Sequence, residues 1–375
     1  MVNENLGTLF RVKSGDGIAI SKLRPFGMYP VYGGNGINGY TSNYNVDGDT
    51  LVIGRVGEKC GNVNITSTKS WVSDNALIVI PKTRYNIEYL SYLLEFLNLN
   101  DYANRNAQPV ISGQIIYAIE APYDNDEDHQ EDIARTLSQF ATYIDDLAEL
   151  IEKKKGIRDG ALIDLISGKT RLEGFSGERK EYSINDITRE VITGGTPSTS
   201  RREYYGGNIP WLASTEIHQK RITKPTTYIT ELGLQNSSAK IAPEKSVLIA
   251  LAGQGKTRGT AAYLTKPMAL NQSLAALVTN EKCNSEFLYY LIESMYLPLR
   301  ELSSGDGGRG GLNKKIIKGV LVTIPVDVDE QRAIANTLFA MDEEIRDLET
   351  EREKIIQIRE GAMDDLLTGR VRLTK

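Results

Sequence analysis

Residues 128–172, DHQEDIARTLSQFATYIDDLAELIEKKKGIRDGALIDLISGKTRL, return 201 positions later as 329–373, DEQRAIANTLFAMDEEIRDLETEREKIIQIREGAMDDLLTGRVRL, with 20 identities in 45 ungapped positions. A repeat of this length decides the architecture before any local reading does. A second echo lies upstream of each copy, where EYLSYLLE at 88–95 matches EFLYYLIE at 286–293 at an offset of 198. The chain therefore reads as unit, helix, unit, helix.

The repeated stretch predicts a long helix in both copies. Ile133, Leu137, Phe140, Ile144, Leu147 and Ile151 step by four and three, and Ile334, Leu338, Met341, Ile345 and Leu348 do the same, which is the seam of a coiled coil. Asp128 with Glu131 and Asp327 with Glu330 have capping-box spacing, and Gly168 and Gly369 supply C-terminal stops. Helices of about 35 to 40 residues are ~50 to 60 Å long. A lone stripe of that length would stay wet, so the two helices are expected to pair antiparallel about a pseudo-twofold axis. Gly160 and Gly361 fall at equivalent positions inside the pattern, where each costs about 1 kcal/mol relative to Ala, so a close approach or a bend is expected there.

Between the helices the texture changes. LVIGRVG at 51–57, NALIVIP at 75–81, SVLIALAG at 246–253 and SLAALV at 273–278 are short apolar runs bounded by Gly, Asn, Asp and Pro, and they read as strands. The expected class is α+β: two globular units of short strands and loops, separated by two long antiparallel coiled-coil helices, with internal pseudo-twofold symmetry. The expected boundaries are a first unit at 1–125, a spacer helix at 126–168, a linker at 169–183, a second unit at 184–325, a second spacer helix at 326–368 and a tail at 369–375.

Composition narrows the function. The 375 residues are 40% hydrophobic and 25% charged, as in a soluble globular protein, and no run of 18 apolar residues or secretory leader pattern occurs. No membrane partner and a cytoplasmic location are expected. The two cysteines, Cys60 and Cys283, lie in different halves and build no disulfide framework. The net charge of −5 hides a segregation: 123–172 and 326–375 carry −5 each, 1–122 is neutral, and 173–325 has 19 bases against 14 acids.

Catalytic patterns are missing. His129 and His218 are isolated, no metal-ligand spacing can be written, GxSxG is absent, and no two prolines adjoin as an amino-methyltransferase motif requires. GQGKT at 253–257 lacks the first glycine of a phosphate loop, because Ala250 stands there. Neither a catalytic nor a metal site is expected. What remains is a set of polar and basic loop residues: Asn35, Arg55, Lys59 and Lys69 in the first unit, and Lys220, Arg221, Gln254, Lys256, Arg258 and Arg309 in the second. Arg and Lys reach phosphates and guanine edges, and Asn and Gln pair with adenine, so these are the candidate DNA contacts. Tyr, although abundant, is read as packing.

GGTPSTSRREYYGGNIPWLASTEI at 194–217, PVYGGNGINGY at 30–40 and the helix endings DLISGKTRL and DLLTGRVRL resemble the specificity subunits of type I restriction-modification systems. The resemblance implies a non-catalytic subunit whose two target-recognition domains each read half of a bipartite double-stranded DNA sequence. It also implies that the helices set the gap and dock two methyltransferase subunits. S-adenosylmethionine and ATP would then sit on partner subunits, including a restriction and translocase subunit, with no cofactor on this chain. The loops of the two halves differ, so an asymmetric target is expected. A spacer of ~50 Å matches about one and a half turns of B-DNA. The alternative is a structural adaptor that assembles proteins on the paired helices, and an enzyme ranks third.

Overall fold

The protein, described by a computed structural model, is defined over residues 1–105, 108–253, 256–303 and 311–373. It forms two units: Met1–Leu150 with Leu348–Lys375, and Ile151–Asp347. The first long helix, Glu127–Ser167, contributes 24 residues to unit 1 and 17 to unit 2. The second, Val328–Leu367, contributes 20 to each.

In unit 1 an antiparallel sheet runs in the order Phe10–Ser14, Ala76–Pro81, Thr50–Gly54, Val63–Thr66. Its central strands are apolar at successive positions because both faces are covered. Leu51, Ile53, Leu77 and Val79 enter one core, and Val52, Ala76 and Ile78 enter another. A second, smaller sheet carries the hairpin Tyr29–Gly33 and Gly36–Thr41, with Trp71–Val72 parallel to the first of these strands.

Unit 2 repeats the logic. A five-stranded sheet has Leu274–Thr279 and Val247–Ala250 at its centre; Val247, Ile249, Ala275 and Leu277 face one core, while Leu248, Ala250, Leu274 and Ala276 face the other. A four-stranded sheet holds Tyr205–Leu212 between Thr227–Ile229 and Met268–Leu270. Each unit is thus a mixture of strands and helices, as expected.

Each globular core is closed by the start of one long helix and the end of the other. In unit 1, Ile133, Ala134 and Leu137 share a core with Met363, Leu366 and Leu367. In unit 2, Ile334, Ala335 and Leu338 share one with Leu162, Leu165 and Ile166. Every member of one set is the 201-residue counterpart of a member of the other. Within unit 1 the helix segments run antiparallel, with Tyr143 donating to Glu351 and Arg372 lying 3.4 Å from Asp126. Within unit 2 they do so too, with Lys154 on Glu344 and Arg158 on Asp342. The seam is therefore a hybrid: Ile133, Leu137, Ile334 and Leu338 are globular core, Leu147 and Ile345 are buried, and Ile144 and Leu348 are half-buried.

Two identical glutamines fasten helix to unit. Gln130 accepts the backbone N–H of Asn86 at 2.7 Å and donates to the Asp124 carbonyl; Gln331 accepts from Asn284 at 2.8 Å and donates to the Pro325 carbonyl. Asn86 and Asn284 in turn cap the helices Ile87–Phe96 and Ser285–Ser294, so the upstream echo and the long repeat form one device.

Three helix expectations change. The first long helix is capped by Asp126, which accepts from the His129 N–H, while Asp128 lies inside the helix; Asp126 is the counterpart of Asp327. Glu330 is buried against Arg171 at 2.7 Å and does not close a capping box. A Cβ at Gly160 or Gly361 would meet nothing within 4 Å, so no close approach explains them. Gly168 and Gly369 do stop their helices, with φ of 79° and 74°.

Candidate nucleic-acid interface

In unit 1 the hairpin turn around Asn35 packs on the loop that follows Thr50–Gly54. A Cβ on Gly54 would lie 2.2 Å from the Gly34 carbonyl oxygen, and one on Gly34 would lie 2.3 Å from that of Val56, so both glycines are obligatory at this crossing. Asn35 is held by the Asn62 side chain at 3.1 Å. The crossing creates a concavity lined by Asn35, Asn38, Glu58, Lys59, Asn75 and Gln108. Four neutral amides, the Lys59 ammonium and the Glu58 carboxylate line it, with the Asn35 oxygen already accepting from Asn62; an amide presents a donor beside an acceptor, the pattern that complements adenine.

Of the sequence candidates, Asn35 and Lys59 both line this concavity. Asn38, Asn75 and Gln108 escape sequence reasoning, because isolated amides on one strand and two separate loops give no pattern. Arg55 sits beside this wall, with its guanidinium 3.4 Å from the Ser14 hydroxyl. Lys69 is elsewhere, 3.8 Å from Asp47 and 4.5 Å from the centre of the Tyr44 ring. A further concavity of unit 1, lined by Asp49, Glu127, Asp128 and Glu131, is anionic and repels phosphate.

In unit 2 the turn Ser214–Gln219 ends at Lys220, which adopts a left-handed φ of 59° and stays exposed, 3.8 Å from Glu293. His218 approaches the Thr257 hydroxyl at 3.2 Å, drawing this turn to the loop of exposed Lys256. Tyr296 donates to the Lys256 carbonyl at 3.0 Å and fixes that loop from below.

The neighbouring arginines differ, and Arg221 is committed inward. Arg221 is paired with Glu286 at 3.0 Å and covered by the rings of Phe339 at 4.3 Å and Tyr263 at 5.1 Å. Burial works against its charge, yet Glu286 and Tyr290 outweigh that and raise its pKa. It is a packing residue of unit 2, a role its place beside Lys220 in sequence conceals. Arg258 is half-buried, 3.4 Å from the Ser303 hydroxyl. Gln254 and Arg309 lie outside the described residues.

No group of three or more metal-ligating side chains, and no helix long and apolar enough to cross a membrane, occurs among the described residues. The tryptophans are anchored, Trp71 on the Asp16 carbonyl and Trp211 on that of Gly195, both at 3.0 Å.

Two duplicated α+β units, each closed by segments of two long helices and each presenting a polar loop surface, match a defined family. The model described as type I restriction modification DNA specificity domain fits residues 1–155 and 177–358. The chain belongs to that family.

Among curated proteins it is similar to the type I restriction enzyme EcoprrI specificity subunit of Escherichia coli, with 30% identity over 40% of this chain and 38% of that one. It is also similar to a putative type I specificity subunit of Mycoplasma genitalium, with 21% identity over 99% of this chain and 94% of that one. The chain spans only 38% to 52% of the length of the first three curated relatives. Of solved structures, the type I restriction-modification S subunit from M. genitalium superposes with a TM-score of 0.69 at 19% identity, covering 100% of this chain and 96% of that one. The HsdS subunit from Thermoanaerobacter tengcongensis gives 0.50 at 15% identity, covering 99% and 97%. At these identities the superpositions show the fold.

Proposed function

We propose that this chain is the non-catalytic DNA-reading subunit of a cytoplasmic type I restriction-modification complex. Units 1 and 2 each read one half of a bipartite, asymmetric duplex target. The long acidic helices set the gap between the halves and dock two methyltransferase subunits, which carry S-adenosylmethionine. Restriction and translocase subunits bring ATP. Asn35 and Lys59 on unit 1, with Asn38, Asn75 and Gln108, and Lys220 and Lys256 on unit 2 are the proposed contacts. Arg55, Lys69 and Arg258 are flanking cations, and Gln254 and Arg309 keep their proposed role from sequence.

The observation that carries this reading is a duplicated scaffold with unlike loops. The buried glutamines and core residues recur at an offset of 201 and the helix caps at 198, while the surfaces they support become an amide-lined hollow in one unit and exposed lysines in the other. Identical support with divergent polar tips suits two readers of different sequences on one backbone-positioning frame. In a binding selection from random duplexes, the chain with its methyltransferase partner should enrich two short half-sites at a fixed gap. An unenriched pool would sink the reading, and methyl transfer by the isolated chain would sink its non-catalytic part.

A further inference from the structure

Unit 1 poses an electrostatic problem that its own surface answers. Residues 1–122 hold equal numbers of acids and bases, so phosphate attraction supplies little net grip there. Yet one stretch of this unit departs sharply from the rest. From Gly17 to Val46 there is no Asp or Glu, whereas a chain with 49 acids in 375 residues would place about four in such a stretch. In the same stretch Ile20 is 86% exposed, Phe26 84% and Met28 73%, with Lys22 and Arg24 exposed between them. Single exposed apolar residues are ordinary; three large ones within nine positions of one loop, interleaved with cations and free of acids, are not.

The loop is also fixed in place. Arg24 exchanges backbone hydrogen bonds with Tyr40 at 2.9 and 3.0 Å, which adds it to the edge of Gly36–Thr41, the strand that carries Asn38 of the amide-lined hollow. On that strand Ile37 is itself half exposed. The apolar loop is thus tied to the hairpin that carries Asn35 and Asn38.

We propose that Ile20, Phe26 and Met28 form an apolar wedge through which unit 1 engages duplex DNA, with Phe26 entering a base step and Lys22 and Arg24 meeting the flanking phosphates. A polyanion whose interior consists of stackable faces is the partner that a stretch of cations and large apolar side chains without acids of its own fits, and wedges of Phe, Ile and Met at base steps are a known mode of DNA contact. The inference rests on the DNA-reading proposal above. It adds an apolar element to the amide-lined reader of unit 1, which the lysine loops of unit 2 do not share.

The test uses the full chain with its methyltransferase partner and the duplex recovered by selection, labelled with 2-aminopurine at each half-site in turn. Phe26→Ala with Met28→Ala should weaken binding tenfold or more, leave the salt slope unchanged, and abolish a fluorescence rise at one half-site only; Phe26→Leu should retain most of the affinity. Wild-type affinity and fluorescence in the double variant would overturn the proposal. So would a loss of methyltransferase co-purification, which would make the patch a protein-docking face. If the wild-type complex fails to prefer the selected duplex to a random one, the DNA-reading proposal falls, and the wedge with it.

Discussion

Arg158 and Arg359 are the same residue of the repeat, and each binds the glutamate that ends the EYLSYLLE echo: Arg158 holds Glu293 in unit 2, and Arg359 holds Glu95 in unit 1 at 2.8 Å. Their surroundings differ. Arg158 also meets Asp342 at 2.8 Å, Tyr290 donates to that carboxylate at 2.7 Å, and the Arg158 side chain is 6% exposed. The first repeat has Ala141 where Asp342 stands, and its pair is more open on the carboxylate side, with the Glu95 side chain 48% exposed against 21% for Glu293, while the Arg359 side chain is 18% exposed. Arg158→Met should therefore cost about 3 kcal/mol, because it strands two half-buried carboxylates, whereas Arg359→Met should cost at most ~1 kcal/mol. Urea unfolding separates the two, since Trp211 reports on unit 2 and Trp71 on unit 1 once the other is replaced by Phe; equal losses would contradict the assignment. At the interface, Lys220→Ala with Lys256→Ala should lower the slope of log K against log salt by about 0.9 for each phosphate no longer neutralised. An unchanged slope would exclude both lysines as phosphate contacts. The arginine pairs are half legible in sequence, because the repeat aligns both partners, but the depth of the Arg158 site depends on one residue that the repeat does not share.

The element scale explains what periodicity can and cannot disclose. The four predicted strand runs appear as strands because each is apolar at successive positions, and the sheet between two cores accounts for that run. The heptad spacing locates both long helices but not their separate duties: a four-three pattern is the same whether a leucine faces a partner helix or a globular core, as Leu137 and Leu338 do. The amide hollow is not legible, since Asn38, Asn75 and Gln108 are far apart in sequence and only the glycine crossing at Gly34 and Gly54 gathers the loops. Gly160 and Gly361 lie in unbroken helix with open space around the missing Cβ. Alanine at either position should then stabilise the chain by about 1 kcal/mol, through helix propensity and a less flexible unfolded state. Thermal melts of Gly160→Ala and Gly361→Ala should move upward, and a fall at either site would reveal a constraint that the local geometry does not contain.

For the whole molecule the repeat has a mechanical consequence. Each unit's core draws on both long helices, but on different stretches: 127–150 and 348–367 for unit 1, 151–167 and 328–347 for unit 2. The junctions at 150–151 and 347–348 are therefore the places where both helices can be lengthened without removing a residue from either core. Seven residues at each junction preserve the four-three seam and add ~10 Å of helix. If the helices set the gap in the target, the spacer preferred by the complex should grow by about three base pairs at ~3.4 Å each, while both half-sites stay as they were, because the amide hollow and the lysine loops lie within the units. A selection from random duplexes reads gap and half-sites together. An altered half-site with an unaltered gap would mean that the helices position the readers against the bases and do not measure the distance between them.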